Sequence, residues 1–199
     1  MKLNTANIST LLLAFGLLSF SSIIGNCFIS FNKAINLEMA SPDRLPETSE
    51  KVRQVKTDKG DVNVSRIDGY RILYNNKKQV PFVNLKVELS EHASYAADTV
   101  NIIDNLKYLN SHSADMETKD LLVFDYNGYK IYGLSRKTIE KGSTLGTFAM
   151  FPGNDITVYF YFNNLKPEFR NFENIDEYKN QRNSFMLGYT SHLKKCLSK

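Results

Sequence analysis

The sequence predicts an α+β domain: a largely antiparallel sheet of five to seven strands packed with two main helices, after an N-terminal hydrophobic helix. Three observations predict it. Runs with two-residue alternation fill much of the chain beyond residue 60, turn signals join several of them into hairpins, and two longer stretches repeat their apolar residues at helical spacing. Strands grouped together, rather than alternating singly with helices, describe α+β and not a parallel α/β sheet.

The N-terminus comes first. Lys2 is followed by Leu11 to Phe31, LLLAFGLLSFSSIIGNCFISF, which carries no charge. Its densest part, Leu11 to Gly25, has the length of a signal-peptide h-region. The whole run is long enough to cross the roughly 30 Å hydrocarbon core. A buried helix of a soluble domain would carry polar residues along one side, and this run is apolar all round. Residues 1–31 therefore read as a signal peptide or membrane anchor. The stretch Ile24-Gly25-Asn26-Cys27 loosely matches a lipoprotein box, with Cys27 the candidate for lipidation, although Asn26 stands where a small residue is usual. Cleavage, retention and lipidation all remain open. Residues 32–60 mix both charge signs with two prolines and no apolar period, the composition of a flexible linker.

Residues 61–199 then form a single domain. DVNVSRI and YRILYN read as one or two short strands broken at Asp68-Gly69. Val83, Leu85, Val87 and Leu89 alternate with Asn84, Lys86 and Glu88, as in a strand with one wet face. A helix from about Tyr95 to Asn110 follows, with Ser94 as its cap and Thr99, Ile102, Ile103, Leu106 and Leu109 on one side. In LLVFDYNGYKIYGLS, Asn127-Gly128 supplies the two positive-φ positions of a type I′ turn. That loop sets Tyr126 opposite Tyr129, Phe124 opposite Ile131 and Asp125 opposite Lys130. A second hairpin turns at Pro152 to Asp155 into ITVYFYF, whose two apolar faces place it centrally. The closing helix spans about Ile175 to Leu197, capped by Asn174 with Glu177 in the capping-box position. Its stripe is Ile175, Tyr178, Phe185, Met186, Tyr189, Leu193 and Cys196.

This order, with the hairpin DYNGYKIYGLSR and the strand ITVYFYF before a closing helix, resembles the PsbP-like class of small exported proteins. The resemblance covers about Asp61 to Cys196 and lies in element order. It implies an accessory or binding role outside the cytoplasm and brings no catalytic residue with it.

Composition narrows the function. The chain has 199 residues, 42% hydrophobic and 23% charged, which excludes disordered and fibrous classes. Without the first 34 residues the net charge is +2, too little for a dedicated nucleic-acid binder. Two cysteines cannot make a disulfide framework. Gly133-Leu134-Ser135 begins like a nucleophile elbow but lacks its second glycine, and it continues a strand. His92 and His112 fall in polar loops. His192 and Cys196 share a helix face but lack further ligands, so packing is the better reading, and no metal or cofactor is expected. The acids Asp176-Glu177 and Asp115/Glu117 read as first-turn or loop groups.

One candidate binding site remains. Tyr132, Tyr159 and Tyr161 are strand residues that can share a face, forming an aromatic patch for a glycan or an envelope protein if no helix covers it. The expected function is a non-enzymatic accessory or binding protein, exported or tethered to the membrane through its N-terminal segment. It would lie in the periplasm or outside the cell. The alternative is an extracytoplasmic, hydrolase-like enzyme with a site assembled from dispersed residues.

Overall fold

The computed structural model describes residues 26–34, 36–46, 52–139, 143–164 and 171–198. The expected N-terminal helix, up to Gly25, lies outside them. Among the described residues nine strands form one antiparallel sheet: β1 (Glu38–Met39), β2 (Asp43–Arg44), β3 (Val52–Thr57), β4 (Gly60–Asn75), β5 (Pro81–Ser90), β6 (Leu122–Tyr126), β7 (Tyr129–Ser135), β8 (Ser143–Gly153) and β9 (Ile156–Asn164). Helix α1 (His92–Ser111) covers one face and helix α2 (Ile175–Leu197) the other. The main path runs β1-β4-β5-β9-β8-β7-β6, with β2 and β3 also paired to β4. The expected α+β class is what the chain adopts.

The Asn127-Gly128 hairpin forms as its residues dictate. Asn127 has φ 59° and Gly128 φ 86°, and the pairs Tyr126↔Tyr129, Asp125↔Lys130 and Phe124↔Ile131 follow. Strand β9 is central, flanked by β5 and β8. Its Val158, Phe160 and Phe162 are buried toward α2, whose Tyr178, Phe185, Met186, Tyr189 and Leu193 complete the larger core. Gly133 is required by this packing, because a Cβ there would collide with the Phe148 ring. Asn174 caps α2, accepting from the Glu177 amide at 2.9 Å, while the Glu177 carboxylate reaches back to the Glu173 amide.

Several boundaries differ from expectation. The strand over 60–75 is continuous; a bulge between Arg66 and Asp68 absorbs the irregularity at Asp68-Gly69. Helix α1 starts at His92, with Glu91 at its N-cap and Ser94 buried inside it. Leu109 points outward, 52% exposed, and the buried positions are Ser94, Asp98, Ile102, Leu106 and Asn110. The turn of the second hairpin is Asn154-Asp155 alone, both at positive φ, while Pro152 sits in a bulge of β8.

The largest difference concerns residues 26–60. Cys27, Phe28 and Phe31 are nearly inaccessible and belong to the main core, so the fold begins inside the stretch read as leader. Three strands, β1 to β3, occupy the expected linker and pair with β4. The linker reading followed local composition, whereas ladder hydrogen bonds to β4 and a few deep anchors order the segment. Among the described residues no helix is long and apolar enough to cross a membrane.

Candidate functional site

The most constrained locus joins the start of the described chain to the end of α2. Residues 26–29 form a helical turn that sets Cys27 against the last turn of α2, where Cys27 and Cys196 are joined in a disulfide with Cα atoms 5.8 Å apart. Polar groups on buried rings reinforce it. Tyr189 Oη donates to the Phe28 carbonyl at 2.9 Å, and Tyr74 Oη donates to the Phe31 carbonyl at 2.7 Å. Burial raises the pKa of both phenols, which keeps them protonated donors. One turn before Cys196, His192 places Nε2 3.0 Å from the Cys27 carbonyl and 3.2 Å from Ser30 Oγ. Its ring packs 5.6 Å from that of Phe31.

This locus revises the reading of both cysteines. Lipidation needs the Cys27 thiol, and that sulfur is bonded to Cys196. Cys196, read as a packed thiol, is half of the covalent clasp. A disulfide of this kind forms and persists in an oxidising compartment. The signal available in the sequence was that its only two cysteines lie 169 residues apart along the chain.

Beside Phe28 opens an apolar pocket of about 250 Å³. Phe28, Ile67, Tyr70, Val87, Leu89 and Ile156 wall it, and Arg44 and Asp68 pair at its edge with 2.9 Å between Nε and Oδ1.

The tyrosine face takes a different form. Tyr159 and Tyr161 stack at 6.1 Å, but Tyr132 lies two strands away across Ala149 and packs on Phe151 at 6.2 Å. Ile102 and Leu106 of α1 cover this side, leaving Tyr159 8% exposed and its two partners half-buried. No open aromatic patch results. Burial raises the pKa of Tyr159 and, to about 12, that of Tyr161.

What the sequence reading missed here is an ion-pair network under α1. Arg53 of β3 grips Asp98 of α1 with Nε and Nη2, and its Nη1 lies 3.4 Å from Glu88. Arg66 and Lys86 approach the same Glu88 at 3.5 and 3.2 Å. Burial alone would raise the Glu88 pKa, and the fields of Lys86, Arg53 and Arg66 outweigh it and hold it low. Asp98 is fully buried and stands four residues before Ile102, so an acid on the apolar stripe was the available signal.

A second network was likewise unanticipated. Arg182, 2% exposed within the stripe of α2, donates through Nη1 to Glu117 Oε2 and Ser135 Oγ, both at 3.0 Å. Its guanidinium lies over the rings of Phe124, Tyr178 and Phe148 at 5.1 to 5.5 Å. Ser135 Oγ is 3.1 Å from Tyr178 Oη and is itself buried, while the partly exposed Glu117 also pairs with Lys179 at 3.2 Å. His92 is exposed and pairs with Asp155 at 2.9 Å, while His112 stacks on Tyr108. Among the described residues, no group of three or more His, Cys, Asp or Glu is placed to hold a metal.

Comparison with protein-family models, curated proteins and solved structures finds no match.

Proposed function

We propose that this chain is an exported accessory protein, held at the outer face of a membrane by its N-terminal segment and acting by binding rather than catalysis. The observation that carries the reading is the Cys27–Cys196 disulfide, which suits an oxidising compartment and whose first cysteine lies within an uncharged stretch. Because Phe28 and Phe31 belong to the domain core, the stretch left for the membrane is Leu3 to Gly25, 23 residues without charge after Lys2. As a helix at about 1.5 Å per residue it would reach about 35 Å, with Leu11 to Gly25 as its apolar part. Lys2 on the cytoplasmic side agrees with the usual charge bias. The polar networks around Arg53 and Arg182 are satisfied internally, which suits a scaffold better than a reacting centre.

Protease treatment of intact spheroplasts tests the reading. Digestion of the domain in sealed spheroplasts, with a membrane-retained N-terminal fragment, is the expected result. Protection until the membrane is lysed would overturn export, and a domain found only in the soluble fraction would overturn tethering.

A further inference from the structure

Phe28 connects two features. It walls the apolar pocket, and it follows by one residue the cysteine that fastens the chain to α2 just past Gly25. On the reading that Leu3 to Gly25 is membrane-embedded, on which this inference rests, the pocket opens at the pole of the domain nearest the bilayer. The disulfide and the buried Phe31 leave this pole little freedom to turn away. Other residues at the same pole suit a lipid surface. Lys194 and Lys195 are exposed on the turn that carries Cys196, and Leu197 beside them is 40% exposed. Basic groups next to a membrane segment are attracted to anionic headgroups.

The pocket has the chemistry for the apolar part of such a lipid. Six of its ten lining residues are apolar or aromatic, the others being Arg44, Asp68, Gly69 and Asn154, and Ile67 lies 55% exposed among them. Its volume of about 250 Å³ is below the roughly 300–1,000 Å³ of sites that enclose a whole small molecule. That size suits one segment of a chain whose remainder stays outside. We infer that this pocket takes an acyl chain of an anionic membrane phospholipid.

The chain has no tryptophan, so a single introduced indole reports without background. The full chain carrying Ile67→Trp is reconstituted into vesicles of phosphatidylcholine and phosphatidylglycerol, with or without bromine on the acyl chains. Val123→Trp, also at an exposed site (55%) but on edge strand β6, is the control. The inference expects brominated lipid to remove most of the Ile67→Trp emission and leave Val123→Trp unchanged. Protein that does not float with the vesicles would refute the tethering itself. Protein that floats with an unquenched indole at 67 would refute the lipid site alone, including the case in which the chain's own apolar segment fills the pocket. Native mass spectrometry of the full chain released from mild detergent gives a second reading. One bound phospholipid on the parent and none on Ile67→Glu is expected; no lipid on the parent, or equal lipid on both, would overturn the proposal.

Discussion

Replacing both cysteines, Cys27→Ala with Cys196→Ala, measures what the clasp contributes. The bond joins residues 169 apart in sequence. Closing a loop of that size removes about 17 cal/mol/K of unfolded-chain entropy, or about 5 kcal/mol at 25 °C. Native disulfides deliver about 2–5 kcal/mol when removed, so a loss of about 3–5 kcal/mol is expected here. The segment keeps its other anchors in the variant, namely Phe28 and Phe31 in the core and the phenol bonds from Tyr189 and Tyr74. The fold should therefore survive with a lower melting temperature. For a domain of this size each kcal/mol moves the midpoint by about 2–4 °C, which predicts a fall of about 6–20 °C. The assay is a circular dichroism melt of the full chain in detergent, with parent, double variant and reduced parent side by side. A double variant within about 2 °C of the oxidised parent would refute the reasoning. It would mean that residues 26–34 are held without the bond, or that the bond does not form.

Other perturbations address separate parts of the account. Phe31→Ala should cost about 3–5 kcal/mol in a denaturation midpoint, as a buried aromatic does; a cost near zero would return Phe31 to the leader segment. Gly128→Val should cost about 1–3 kcal/mol from backbone strain alone, because φ is +86° and no atom stands within 4 Å of the added Cβ. An unchanged midpoint would mean the hairpin is misassigned. Folding lowers the pKa of Glu88 and Glu117 below 4.5, so the unfolded chain binds more protons as pH falls through that range. Stability should accordingly be full above about pH 5 and decline below about 4.5. Glu88→Gln should melt lower than the parent at pH 7 and show a shallower decline; an equally steep one would remove Glu88 as a contributor. Tyr159→Ser should destabilise rather than act silently, because Tyr159 is 8% exposed beneath α1; an unchanged melting temperature would return that ring to the surface.

Local signals made the centre of this fold legible. Asn127-Gly128 dictates its turn through φ alone, and the alternation in ITVYFYF placed β9 between two neighbours. Asn174 and Glu177 marked the start of α2. Long-range partners were not legible. β3 has little apolar content of its own, and its six paired residues with β4, the buried Val55 and the Arg53–Asp98 contact hold it as a strand. Phe28 and Phe31 looked like continuations of a lipid-facing run because core and bilayer select the same side chains. Arg182 hid inside an apolar stripe whose aromatic rings and Glu117 sit on distant elements. The clasp required knowing that the start of the domain returns to the last turn of α2. The tyrosine patch failed for a related reason: strand alternation assigns residues to a face, and it does not say what covers that face.

Counting thiols in the chain taken directly from the membranes of cells that make it tests the central claim most directly. The protein is denatured in the presence of a polyethylene glycol maleimide, with or without prior reduction, and its mass increments are read on a gel. A closed clasp in an exported protein predicts no increment before reduction and two after it. Two increments without reduction would contradict the disulfide and the oxidising compartment together, and a single increment under both conditions would contradict the disulfide by showing one cysteine blocked in another way.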